Sequence, residues 1–117
     1  MPPDAQMSDP GLDRLFQALA DPYRRGMVDQ LSRGPASVKA LAEPAGLALP
    51  SALKHLGVLE AGGIVVSEKS GRVRTYRMQP GALADIEAWV AQRQRNWNQS
   101  FDRLDQLMAQ TPELPEE

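Results

Sequence analysis

Side chains of the types that grip a polyanion recur between Ser37 and Arg74: Ser37 and Lys39, then Ser51, Lys54 and His55 around the apolar Leu53, then Lys69, Arg72 and Arg74. Lysine and arginine neutralise phosphate, and serine, lysine and arginine can donate to base edges. Catalytic chemistry has no comparable set. The 117 residues include no cysteine and a single histidine, which excludes thiol nucleophiles, thiolate metal sites and disulfides. There is no nucleophile–base pair and no phosphate-cradling loop, so an enzyme is not expected.

The charge distribution favours the same segment. The net charge is −2, which looks wrong for a polyanion binder until it is divided along the chain. Residues 33–78 hold seven basic residues (Arg33, Lys39, Lys54, Lys69, Arg72, Arg74, Arg77) against three Glu, whereas both flanks are net acidic. Positive charge confined to one block marks the part that would face phosphate; the alternative is chance clustering of solvated charge.

The elements needed to position these residues are visible as periodicity. Leu12, Leu15, Phe16, Leu19, Met27, Val28 and Leu31 have helical spacing, broken at Asp21-Pro22, where Asp suits an N-cap and Pro the first helical position. This predicts helices over about 10–20 and 22–32. Ser37 then caps a short helix with Val38, Leu41 and Ala42 inward; Pro44 falls in its last turn and Gly46 ends it. A second helix is expected from about Leu49 to Ala61, with Pro50 in its first turn and Ala52, Leu56 and Leu59 as core stripe. Its N-cap position is Ala48, a poor cap. IVVSEK and RVRTYRM, around Ser70-Gly71, predict a hairpin. Pro80 is expected to open a last helix reaching about residue 110, roughly 45 Å long at 1.5 Å per residue, with Leu83, Ile86, Val90, Trp97, Phe101, Leu104 and Met108 on one stripe and a break at Arg93.

That order gives the fold class: mainly α with a small β-hairpin wing, a winged helix-turn-helix that is dimeric through a long C-terminal helix. Residues 1–11 are expected to form a flexible acidic, Pro-rich arm, 12–110 the domain including its dimerisation helix (about 80–110), and 111–117 a disordered acidic tail. No apolar run reaches the roughly 18–20 residues of a membrane span, and the N-terminus lacks the basic and apolar blocks of a secretion signal. A cytoplasmic protein is expected.

Three stretches together resemble the ArsR family of winged-helix repressors. LFQALADPYRRGMVDQL resembles the family's opening helices with their Ala-Asp-Pro-x-Arg-Arg turn. LPSALKHLGVLEAGGIV is similar to its Pro-x-x-x-x-His-Leu-x-x-Leu-x-x-x-Gly recognition helix, and SEKSGRVRTYRM to its Gly-Arg wing. The resemblance runs from about Leu12 to Met78, and the long last helix with Trp89 and Trp97 resembles a metal-free branch. It implies a homodimeric repressor on a pseudo-palindromic operator in double-stranded DNA. The thiolate cluster of some members would fall within Val38–Glu43, where there is no Cys, and Asp85 and Glu87 have no neighbouring His, so no metal cofactor is expected.

Each site residue has a plainer reading beside the functional one. Ser37 caps its own helix, or that N-terminus accepts a phosphate with Lys39 helping. Lys54 contacts guanine or phosphate, or is simply solvated, and Ser51 meets a base or a phosphate. Leu53 either faces a thymine methyl or packs inside. His55 is structural or meets phosphate. Lys69, Arg72 and Arg74 grip the backbone or minor groove, or protect an exposed strand edge; Arg77 lies on the opposite strand face. Arg24 and Arg25, cations at a helix start, need a compensating partner, either a carboxylate or DNA phosphate. Leu12, Leu15, Phe16, Leu19, Ile86, Trp89, Val90, Trp97, Phe101 and Leu104 are assigned to the dimer seam, although the aromatic stripe could instead line a pocket for an unknown small-molecule effector. Arg93 needs a carboxylate if buried. A winged-helix protein-interaction module, its basic face serving an acidic partner, is the alternative function.

Overall fold

Two Asp-Pro steps start the chain's helices. In the computed structural model, which describes residues 9–110, Asp9 and Asp21 sit in extended backbone and accept from the N–H groups of Leu12 (3.1 Å) and Arg24 (3.0 Å), capping α1 (Pro10–Leu19) and α2 (Pro22–Leu31). Each helix opens on its proline, where the missing N–H costs nothing. Helix α1 thus begins inside the expected arm, because Asp9 caps it. The rest of that arm, and the expected tail at 111–117, lie outside the described residues.

Next come β1 (Ala36–Ser37), α3 (Val38–Ala45), α4 (Leu49–Ala61), β2 (Val65–Ser70), β3 (Val73–Met78) and α5 (Ala84–Gln110). Pro44 is inside the last turn of α3. Its lack of an N–H frees the carbonyl of Ala40, and the Gln30 side-chain amide of α2 donates to that oxygen at 3.1 Å. Gly46, at φ 67°, closes α3: its N–H reaches the Glu43 carbonyl and that of Leu47 reaches Ala42, the paired bonds of a Schellman ending.

The expected hairpin is part of a three-stranded antiparallel sheet in the order β1-β3-β2. Ala36 and Ser37 pair with Tyr76 and Thr75; a two-residue strand leaves no period to detect. The hairpin register runs from Val65↔Met78 to Ser70↔Val73, which leaves Gly71-Arg72 as the turn. Positive φ occurs at Gly71 (63°) and not at Arg72, the pattern of a type II′ turn.

The chain divides into two units, one up to Leu83 and one from Ala84. The first has a core of Leu15, Ala18, Met27, Leu31, Leu41, Ala42, Ala52, Leu56, Leu59, Ile64, Val65 and Tyr76. Leu15, assigned above to the dimer seam, is a core residue and only 5% exposed: it falls on the same side of α1 as Ala18, one turn on.

The second unit is α5, whose 27 residues make a rod about 40 Å long. It starts four residues later than Pro80. Pro80 and Gly81 (φ 73°) occupy the central positions of a type II turn, closed by the Ala82 N–H donating to the Gln79 carbonyl at 2.9 Å. No residue of α5 is buried. Trp97 and Phe101 pack ring to ring at 5.9 Å, and the exposed Arg93 guanidinium lies over the Trp89 ring at 4.5 Å, so it needs no carboxylate here.

Candidate nucleic-acid interface

Helix α4 carries the central cluster. Ala52, Leu56 and Leu59 are fully buried on one face, which turns Ser51, Leu53, Lys54 and Gly57 outward. Leu53 is 46% exposed, so of its two readings the packed one is excluded. Ala48 makes no side-chain cap bond to α4.

Five of the expected residues meet in one place. Ser37 and Lys39 from the start of α3, Leu53 from α4, and Arg72 and Arg74 from the wing line a cleft of about 370 Å³, together with the aliphatic side chains of Leu49 and Val73. Ser37 Oγ accepts from the Ala40 N–H at 3.2 Å, so it caps α3, and the same residue lines the cleft. Ser51 and Lys54 lie outside this cleft on the exposed side of α4, and Lys69 is exposed on β2.

His55 is placed differently. Its Nδ1 lies 3.1 Å from Arg24 Nη1 and 3.8 Å from Asp21 Oδ2, and its ring is tilted against Tyr23 at 5.6 Å. It joins α4 to the start of α2, which makes its structural reading the one with observed contacts. Arg24 also donates to the carbonyls of Ala18 (2.7 Å) and Gln17 (3.1 Å), and Arg25 to that of Leu19 (2.8 Å). The partner expected for these arginines is therefore the negative C-terminal end of α1, where a cation is favoured, rather than a carboxylate or a phosphate alone. Burial raises the pKa of the Asp21 carboxyl, but the Arg24 N–H bond and the charges of His55 and Arg24 outweigh it, holding the group below its ordinary 3.8.

In the wing, Arg74 Nη1 donates to Ser67 Oγ (2.9 Å), which donates to Glu60 Oε2 (3.1 Å) at the end of α4. Burial and the Glu60 carboxylate push the Tyr76 hydroxyl above its usual range, with Arg74 opposing. Lys69 and Arg74 sit directly opposite in register, a like-charge pair that costs stability unless an anion joins it. Arg77 faces away and pairs with Glu68 at 3.2 Å.

Ion pairing separates the cations. Arg33 is tied to Asp29 at 2.8 Å and Arg77 to Glu68. Among the described residues, Lys39, Lys54, Lys69, Arg72 and Arg74 form no ion pair within 4 Å. Within residues 33–78 the five cations expected to meet phosphate form no ion pair, whereas Arg33 and Arg77 each hold a carboxylate. Sequence reasoning missed Arg24 as a brace and Leu49 and Val73 as cleft walls; the paired arginines after Asp21-Pro22 were the available signal for the first.

Of the residues assigned to the seam, Phe16 on α1 is exposed and Leu12 and Leu19 are half-buried. On α5, Trp89, Val90, Trp97, Phe101 and Leu104 are exposed and Ile86 is half-buried. No group of three or more His, Cys, Asp or Glu among the described residues could hold a metal ion, and none of the described helices is long and apolar enough to cross a membrane.

Comparison with known proteins gives consistent relatives. A family model described as a helix-turn-helix domain matches residues 19–68. The HTH-type transcriptional regulator Rv2034 of Mycobacterium tuberculosis is 33% identical over 82% of this chain and 87% of its own length. The crystal structure of an ArsR family transcriptional regulator is 46% identical, covering 75% of this chain and 91% of that one, with a TM-score of 0.71. The solution structure of the homodimeric winged helix-turn-helix DNA-binding domain of Mb0332 from Mycobacterium bovis is 27% identical, covering 88% and 92%, with a TM-score of 0.60.

Proposed function

Because this chain belongs to the ArsR family of winged helix-turn-helix transcriptional regulators, we propose that it binds a pseudo-palindromic DNA operator as a homodimer and represses transcription without a metal signal. The observation that carries this reading is the grouping of Lys39, Lys54, Lys69, Arg72 and Arg74 on α3, α4 and the wing, none of them held in an ion pair within 4 Å. Helix α4 enters the major groove with Ser51, Leu53 and Lys54 toward base edges, while Arg72 and Arg74 hold the adjacent backbone.

A second copy covers the exposed apolar side chains of α5, which have no packed core of their own. Two recognition helices then meet half-sites about 34–36 Å apart, one helical turn of DNA. A dimer seated across two grooves occludes the operator, which is the mode of repression. The absence of Cys from the chain and of His from α5 supports a signal other than a transition metal.

The test is the anisotropy of a dye-labelled duplex from the gene's own upstream DNA, titrated with protein, salt and unlabelled competitor. Tight binding that survives competitor and weakens with salt is expected. Binding that any competitor abolishes would move the function to another operator or a protein partner.

A further inference from the structure

Leu53 is a large aliphatic side chain, 46% exposed, on the outer face of the recognition helix. It is not part of the buried stripe of α4, which Ala52, Leu56 and Leu59 fill. Its surroundings are specific. The cleft it lines has aliphatic walls from Leu49 and Val73 and a cationic rim from Lys39, Arg72 and Arg74. An occupant that suits both must present negative charge and a small apolar group a short distance apart. Duplex DNA does so at one base, since thymine carries a 5-methyl in the major groove beside the phosphate backbone.

One turn along the same face, Gly57 adds a second observation. A Cβ built there meets no atom within 4 Å, so no neighbour in this chain demands glycine in the middle of a helix, where it is disfavoured. A bare backbone beside Leu53 lets an outside surface come closer than any side chain would allow.

We infer that Leu53 is a specificity-determining residue, selecting thymine at one position of each half-site through its 5-methyl group. This rests on the DNA-binding reading above and names what α4 recognises. Lys54 and Ser51 offer polar contacts to neighbouring positions; Leu53 supplies an apolar one that cytosine, guanine and adenine cannot match.

The experiment starts from a random-sequence duplex pool, from which the full chain selects its own binding sequence. Each thymine of the selected duplex is then replaced singly by deoxyuridine, which deletes one methyl and leaves base pairing intact. At one thymine per half-site the replacement is expected to weaken binding about four-fold, the worth of one buried methyl. Leu53→Ser should bind the thymine and uracil duplexes alike at that position, while Lys39→Ala should lose affinity for both and keep their ratio. If the protein selects a sequence but no uracil replacement matters, or Leu53→Ser keeps the discrimination, the inference is overturned and the DNA-binding reading stands. If no sequence is enriched, both are overturned.

Discussion

Arg24 and His55 meet at 3.1 Å, guanidinium Nη1 to imidazole Nδ1, and the contact ties the recognition helix to the junction of the first two helices. A guanidinium can only donate, so a hydrogen bond across this contact needs Nδ1 as its acceptor. The same guanidinium grips two carbonyls at the end of α1. Three helices therefore share one cation.

Loss of that cation is expected to be costly. Arg24→Ala should destabilise the fold by about 1.5–3 kcal/mol, the range for hydrogen bonds to a charged group, and His55→Ala by less. Urea unfolding of both single variants and the double should give a coupling of at least about 0.5 kcal/mol. Strict additivity would mean that the contact contributes nothing. Arg24→Lys should not rescue, because a single ammonium cannot reproduce the fork.

Asp21 links the same junction to pH. Its folded-state carboxyl titrates below the ordinary 3.8, so it stabilises the fold above the unfolded value. That contribution is lost as pH falls through the folded value. Melting curves between pH 6 and acid should therefore show a smaller acid-side loss for Asp21→Asn than for the natural chain. Parallel curves would remove Asp21 from the account.

Gly57→Ala should separate folding from recognition. With open space at the Cβ position, alanine is expected to stabilise the helix by about 0.5–1 kcal/mol. The same methyl should lower operator affinity if DNA approaches this face. A variant that melts higher and binds as well as before would show that DNA stays clear of residue 57.

Gln30 and Pro44 should show compensation. Gln30→Ala leaves the Ala40 carbonyl without its donor and is expected to cost about 1 kcal/mol. In a Pro44→Ala background the backbone N–H of residue 44 can take over, so the cost of losing Gln30 should shrink. An equal cost in both backgrounds would contradict the compensation.

The wing arginines should differ by their partners. Arg72→Ala is expected to weaken binding to all sequences alike and to reduce the salt slope by about one. Arg77→Ala, which breaks a surface pair with Glu68 on the other strand face, should leave binding close to unchanged. Equal effects would mean that the wing docks through its other face.

Much of this was legible because it follows from local rules. Asp-Pro at 9–10 and 21–22, Ser37, Gly46 and the Ala52-Leu56-Leu59 stripe each announce a boundary or a buried face through their own chemistry. The Pro80-Gly81 pair carries a turn signature as well, but Pro also suits a first helical turn and the helical spacing that follows masks the difference. Strand β1 was invisible because two residues show no alternation, and pairing with β3 is a long-range event. Leu15 lay on a helical stripe that periodicity could not divide between core and surface. The Arg24–His55 contact joins residues 31 positions apart, and spacing holds no trace of it.

The placement of aromatic residues has a practical result. Both tryptophans of the chain, Trp89 and Trp97, belong to α5, while the unit that holds α4 and the wing has only Tyr23 and Tyr76 among its indole and phenol side chains. Excited at the red edge of indole absorption, the protein therefore emits from its last helix alone. Since both rings are exposed in the single chain, an emission maximum shifted to the blue would report coverage of that helix, with no label added.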